Sequence, residues 1–200
     1  MLRFDAGDAH HPDVPHRPLP LLVALLLLAL VTAAPCHATK DPVLSGVVVG
    51  VVDGDTADIR LQSGMIRVRL HAIDAPERDQ PQGAASKAAL SKLVYGKNVD
   101  VEPIEQDRYD RLVARLWLGG LDVNAEMLKL GQAWVYRRYA DDPAYCAYEK
   151  AARDLGRGLW SLPAAQRAAP WEWRRRKTLQ GRYTDYSNES VAACVASLGR

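Results

Sequence analysis

The chain has 200 residues, of which 48% are hydrophobic and 25% charged, enough apolar content for one sizeable core and too balanced for a disordered segment. The formal net charge is only +2, so a uniformly basic nucleic-acid coat is excluded and any affinity for polyanions has to come from local patches. Four of the five histidines (His10, His11, His16 and His37) precede residue 39. If that segment is removed, His71 alone remains and no His-clustered metal site is possible.

In chain order, Leu21 to Val31 is an unbroken apolar run followed by small residues up to Ala38, the pattern of a secretory signal cleaved after Ala38. The run is short for a membrane span. Residues 2–16, with Asp5, Asp8 and Asp13 against Arg3, are a poor n-region, so the expected translation start lies nearer Val14 or Leu19, with Arg17 as the leading charge. Cleavage would raise the net charge to +3 and leave Cys146 and Cys194 in an oxidising compartment. An even pair there points to one disulfide, with a reactive or metal-binding thiol as the alternative. The expected domain plan is a signal over 1–38, a folded domain over 39–160 and a C-terminal extension over 161–200 tied to it by that disulfide.

Residues 45–52, SGVVVGVV, are β-branched and meet Asp53-Gly54-Asp55-Thr56, a tight-turn signal. A second strand over Thr56–Leu61 turns at Gln62-Ser63-Gly64 into a third over Met65–Ile73. Alternation puts Val68, Leu70 and Ala72 inward and Arg67, Arg69, His71 and Ile73 outward. Pro76 cannot donate to a ladder, so this strand is expected to end at Asp74 or Ala75, leaving Asp74, the Ala75 carbonyl and Glu77 at its mouth. Crowded carboxylates repel unless a proton or a cation neutralises them, and an oxygen-only donor set suits a hard ion such as Ca²⁺. Asp74 therefore reads as a metal ligand, with a solvated strand end as the plain alternative.

A helix is expected over 84–95, with Ala89/Leu93 and Leu90/Val94 stacked at i,i+4 on the core side and Gly96 as the stop. Strands over Asn98–Glu105 and Leu112–Leu118 follow, separated by the polar Gln106–Arg111. Asp122 caps a second helix ending near Gly131. Asp142-Pro143 starts a third that ends at Gly156, with Ala144, Tyr148, Ala151 and Leu155 as its core stripe and Cys146 on the side away from the core. The run Arg174-Arg175-Arg176 reads as a solvated basic face, with a phosphate-contacting patch as the alternative. Three strands, a helix, two strands and two helices make an α+β chain, a small coiled barrel with helices packed against it. No Gly-x-Ser-x-Gly turn is present, and His71 reads as a bystander beside Arg69.

Four motifs, VVDGDT from Val51, RLHAIDAPE from Arg69, DRYDR from Asp107 and LDVNAEMLKLG from Leu121, together with Gly158-Leu159-Trp160, resemble the staphylococcal nuclease (thermonuclease) family in order and spacing. The resemblance covers about residues 45–160 and implies an OB-fold five-stranded barrel with three helices. It also implies that Asp55 and Asp74 bind Ca²⁺ through carboxylates and Ala75 through its carbonyl, with Asp53 behind them. Glu77 would be the general base or water-orienting carboxylate, and Arg69 and Arg111 would grip the scissile phosphate. Arg108 and Tyr109 match positions that contact a terminal phosphate, and Tyr136 or Tyr139 would stack on the nucleotide. Ala75 replaces the founding member's Thr but keeps the carbonyl; Asp110 replaces its Gly. The implied activity is Ca²⁺-dependent hydrolysis of DNA and RNA, single strands preferred, to 3′-phosphate ends by a periplasmic or secreted monomer with no stable membrane association after signal cleavage. The rival reading is a non-catalytic OB-type module for single-stranded nucleic acid. Such a binder has no use for Asp55, Asp74 and Glu77 beside phosphates.

Overall fold

The protein is described here from a computed structural model in which residues 43–200 are placed; the expected signal segment and its Cys36 lie outside the described residues. Strands β1 (Leu44–Val51), β2 (Thr56–Leu61) and β3 (Gly64–Leu70) form the antiparallel meander, and β5 (Asn98–Gln106) and β6 (Leu112–Leu118) continue it beyond β1. Parallel pairing of β6 with β3, Val68 against Leu112 and Leu70 against Ala114, closes the five strands into a barrel. Bulges at Val48–Gly50 and Pro103–Glu105 supply the bend that closure requires. This is the OB-type α+β architecture.

The inward residues of alternate strand positions, including Val48, Ile59, Val68, Val101 and Leu116, are fully buried. Helix α1 (Gly83–Val94) adds Leu90 and Val94, and α2 (Val123–Lys129) adds Met127 and Leu128. Asp122 caps α2 by accepting from the Ala125 N–H at 2.9 Å, and Asp142 caps α3 (Pro143–Asp154) by accepting from the Ala144 N–H at 2.8 Å. Both are the expected carboxylate caps on orphan amides.

The third strand departs from the expectation. β3 stops at Leu70, and Ala72 adopts a left-handed conformation, φ 63°, that breaks the alternation. A two-residue strand β4 (Ile73–Asp74) then pairs with β8 (Trp134–Val135), downstream of the short β7 (Leu121–Asp122). Ile73 is consequently buried, not outward. The buried Asn124 amide stitches the break, donating to the His71 carbonyl at 2.9 Å and accepting from the Leu116 N–H at 3.1 Å.

Helix α3 also presents a different face. Tyr145, Cys146, Glu149, Ala152 and Arg153 are buried, while Ala151 and Leu155 are exposed. An apolar-stripe reading missed this because two inward residues are charged and neutralised by partners distant in sequence. Glu149 is fully buried; it accepts from the Val135 N–H at 3.0 Å and pairs with Arg137 at 3.0 Å. Arg137 also pairs with Glu189, and Arg153 donates to the Glu189 carbonyl at 2.8 Å.

The tail packs against the same helix. The Cys146–Cys194 disulfide joins α3 to α6 (Val191–Ala196), with Cα atoms 5.8 Å apart and both sulfurs buried. Trp134, Trp160, Trp171 and Tyr186 form a second apolar cluster beneath the tail, which includes α4 (Pro170–Trp173) and α5 (Arg176–Leu179). Cys146, expected on the side away from the core, is reached there by the returning tail and is buried.

Removing Arg137 leaves Glu149 as an uncompensated buried carboxylate. Arg137→Met is therefore expected to lower unfolding free energy by about 3–5 kcal/mol in urea titrations at neutral pH; a loss under about 1 kcal/mol would contradict this account. Reduction of Cys146–Cys194, which closes a 48-residue separation, is expected to cost about 2–4 kcal/mol by the same measurement.

Candidate active site

Every residue singled out from the sequence as a ligand, catalyst or substrate contact lines one cavity of about 740 Å³. The β1–β2 turn delivers Asp53 and Asp55, the β3–β4 break delivers Arg69, Asp74, Ala75 and Glu77, the β5–β6 loop delivers Arg108, Tyr109 and Arg111, and the segment after β8 delivers Tyr136 and Tyr139.

The first two elements meet at Gly54. A Cβ there would lie 2.7 Å from the Ala75 side chain and closer still to Ser86 Oγ, so only glycine lets the turn approach. Asp55 is thereby brought against Ala75, whose N–H donates to Asp55 Oδ2 at 2.6 Å; Asp55 Oδ1 accepts from the Thr56 hydroxyl at 3.1 Å. Asp53 Oδ1 accepts from the Asp55 N–H at 3.2 Å, which fixes the turn from behind. Glu77 is set by a tight loop: its N–H donates to Gln80 Oε1 at 3.2 Å and its carbonyl accepts from the Gln80 N–H at 3.0 Å.

Arg69 organises the centre. Its Nη1 donates to the Leu70 and Ile73 carbonyls, both at 2.9 Å, spanning the strand break, while Nη2 lies 3.1 Å from Asp55 Oδ2 and 3.0 Å from Asp74 Oδ1. Asp55 and Asp74 are only 5% and 1% exposed. Burial, the largest influence, pushes the Asp55 carboxyl up to about 7; Asp53 and Asp74 act in the same direction, and Arg69 and the Ala75 N–H oppose them. Burial likewise works against the Arg69 charge, yet Asp55 and Asp74 hold its pKa above the ordinary value.

This donor set fits a hard divalent cation: two buried carboxylates beside open volume, with a main-chain carbonyl and a third carboxylate next to them. Another trio of metal-type donors, Glu149, Glu189 and Cys194, does not fit one. Its carboxylates are held by Arg137 and its sulfur is in the disulfide.

Arg111 stands apart from the acidic centre. It pairs with Asp107 at 2.7 Å, not with Asp110, and its guanidinium lies 5.5 Å from the Tyr109 ring centre. Arg108 flanks the same ring at 4.8 Å and donates to the Tyr109 hydroxyl at 2.8 Å. Asp110 has φ 63°, so this loop keeps the left-handed conformation that glycine adopts freely. Tyr136 and Tyr139 meet edge to face at 4.8 Å, and Tyr136 stacks parallel to Trp171 at 5.6 Å. His71 is buried, with Nε2 3.8 Å from Asp141, and takes no part in the carboxylate cluster.

The sequence reading missed Arg174. The Arg run is not a uniformly solvated face: Arg174 enters the cavity and pairs with Asp74 at 2.8 Å and Glu77 at 2.7 Å, and Arg176 pairs with Asp79 at 2.8 Å. The only local signal was the position of these arginines after Trp171 and Trp173, which anchor the segment.

A family model described as staphylococcal nuclease homologue matches residues 67–162. An uncharacterized endonuclease of Escherichia coli O157:H7 is 41% identical over 135 residues, covering 67% of this chain and 87% of the relative. The chain belongs to the staphylococcal nuclease family. A micrococcal nuclease of Shigella flexneri is 39% identical over 166 residues (76% of this chain, 94% of the relative), and an uncharacterized endonuclease of Haemophilus influenzae 39% over 160 (80% and 86%). Within this nuclease family the matched segment includes Arg69, Asp74, Glu77 and Arg111 and ends before Arg174.

The Asp55 shift has a sign that chelated protein will display. Between about pH 4 and about pH 7 the folded protein keeps a proton on Asp55 that the unfolded chain has released, so this group makes folding less favourable as pH rises through that window. In chelator, wild-type stability relative to Asp55→Asn is expected to fall from pH 4 to pH 7 and level off above; a flat difference in parallel urea titrations would refute the shift.

Proposed function

We propose that this member of the nuclease family is a Ca²⁺-dependent, sugar-non-specific endonuclease that hydrolyses DNA and RNA, single strands preferred, to 3′-phosphate ends. The observation that carries the reading is the convergence of Asp55, Asp74, Ala75 and Glu77 with Arg69 on one cavity wall. Asp55, Asp74 and the Ala75 carbonyl would hold the metal. When bound, Ca²⁺ supplies a Lewis acid beside the phosphate.

The remaining work falls to the chain's own groups. Attack by water on a phosphodiester builds charge on the equatorial oxygens, which guanidinium forks stabilise bidentately. Arg69, whose terminal nitrogens are engaged by Asp55, Asp74 and the Leu70 and Ile73 carbonyls, would act at the buried end of the cavity chiefly through its charge. Arg111 would contribute a second on leaving Asp107, a partly exposed pair that costs little to break. Glu77, at the rim and fixed by Gln80, would orient the water and take its proton. Tyr109, flanked by two arginines, would receive a phosphate, and Tyr136 and Tyr139 would stack on an unpaired base, which favours frayed or single strands. A periplasmic or secreted setting agrees with the disulfide, and a monomer suffices because one chain supplies all the groups of this cavity.

Cleavage of single-stranded DNA and RNA by the purified protein is expected to require Ca²⁺ and stop in chelator. Glu77→Gln and Arg69→Lys should each lose about 100-fold or more in rate, by analogy with loss of one oxyanion donor, with nucleic-acid binding retained. Binding without cleavage under any divalent metal would replace this proposal with the non-catalytic module.

A further inference from the structure

Arg174 belongs to a part of the chain that the family match does not reach, yet it occupies the acidic centre. Its Nη1 donates to Asp74 Oδ1 at 3.1 Å and to Glu77 Oε1 at 2.7 Å, and its Nη2 donates to Asp74 Oδ2 at 2.8 Å. One guanidinium thus holds both oxygens of the buried Asp74 and the rim carboxylate of Glu77. Asp74 is 1% exposed, so these charge-assisted bonds are poorly screened on one side, although the Arg174 side chain is 41% exposed.

The tail on either side is tied to the loop that carries the two acids. Trp171 lies flat on Tyr136, Trp173 Nε1 donates to Asp79 Oδ1 at 3.1 Å, and Arg176 Nη2 donates to Asp79 Oδ2 at 2.8 Å. The backbone of Arg174 is therefore held in place while its side chain, open to solvent, is able to rotate away. Such a contact closes without ordering a new segment, so little entropy opposes it.

We propose that Arg174 is an internal counter-cation that competes with the catalytic divalent ion for Asp74 while pairing with the neighbouring Glu77, so that the C-terminal tail sets the metal affinity of the centre. The inference rests on the metal-dependent reading above. Arg69 takes Asp74 Oδ1, so Oδ2 is the Asp74 oxygen left for a divalent ion, and Arg174 Nη2 occupies it; guanidinium and ion exclude one another there, and the ion binds only as the tail's contact opens. The tail is then a regulatory strap: whatever draws Arg174 away, a nucleic-acid phosphate being the matching chemistry, raises metal affinity.

The test is calorimetric titration of Ca²⁺ into chelator-stripped wild type, Arg174→Ala, Arg174→Gln and the exposed neighbour Arg175→Ala, with near-ultraviolet circular dichroism to verify that the tryptophan-rich tail stays docked. Loss of charge-assisted bonds to the ligands predicts that both Arg174 variants bind Ca²⁺ about tenfold to 100-fold tighter, with Arg175→Ala at wild-type affinity. Wild-type or weaker affinity in both Arg174 variants overturns the counter-cation, and Ca²⁺-dependent cleavage by wild type would then leave the nuclease reading standing. No Ca²⁺ binding by any of the four proteins, with cleavage indifferent to chelator, overturns both.

Discussion

Asp55 and Asp74, both almost wholly buried, share one terminal nitrogen of Arg69, and the architecture around the cavity is arranged to make that sharing possible. Two carboxylates in a low-dielectric pocket cannot stay charged without positive partners nearby. The close turn at Gly54, the left-handed Ala72 and the Asn124 side-chain amide are the devices that bring the two acids together. Arg69 then has two duties, since the same guanidinium ties the carbonyls on both sides of the strand break. The ligand geometry and the fold of the third strand are consequently one problem with one solution.

The rest of the molecule solves the same difficulty in a different way. Glu149, under the tail, is a buried carboxylate satisfied by Arg137 and a backbone amide, with Glu189 completing the network. There burial still pushes the Glu149 carboxyl up, opposed by Arg137, the Val135 N–H and Arg153, and the groups are locked between α3, the β8 segment and the tail. At the cavity burial likewise pushes the Asp55 carboxyl up, but its acids border open volume and not packed chain. Acids sealed among packed elements serve structure, whereas acids beside open volume are suited to bind a cation. This contrast separates the proposed metal centre from the other acidic cluster more clearly than any count of carboxylates.

The tail links the two. It is fastened by the Cys146–Cys194 disulfide and the Trp134, Trp160, Trp171 and Tyr186 cluster, and from that footing it projects Arg174 onto Asp74 and Glu77. The family match runs from within β3 to residue 162 and stops before Arg174; the tail adds a positively charged group to a site that the barrel alone would leave more negative.

Much of this was readable from residue order. Period-two alternation and the Asp-Gly and Ser-Gly turns defined the meander, Asp122 and Asp142-Pro143 defined helix starts, and the ordered motifs named the family, because these signals depend on neighbours a few residues away. Three features were decided only by tertiary contacts. The outward or inward sense of Ile73 turned on a single positive φ at Ala72, which an alternation rule cannot register. The buried face of α3 was set by Arg137, which pairs with Glu149, and by Glu189, which takes up Arg137 and Arg153, so that two charged residues sit where a stripe of apolar ones was expected. Arg174 meets Asp74 across 100 residues, and nothing in the Arg run distinguishes it from Arg175 until the tail is folded down. Local patterns determine where elements begin and end, while the pairing of charges between distant segments is fixed only when the packed chain removes them from water.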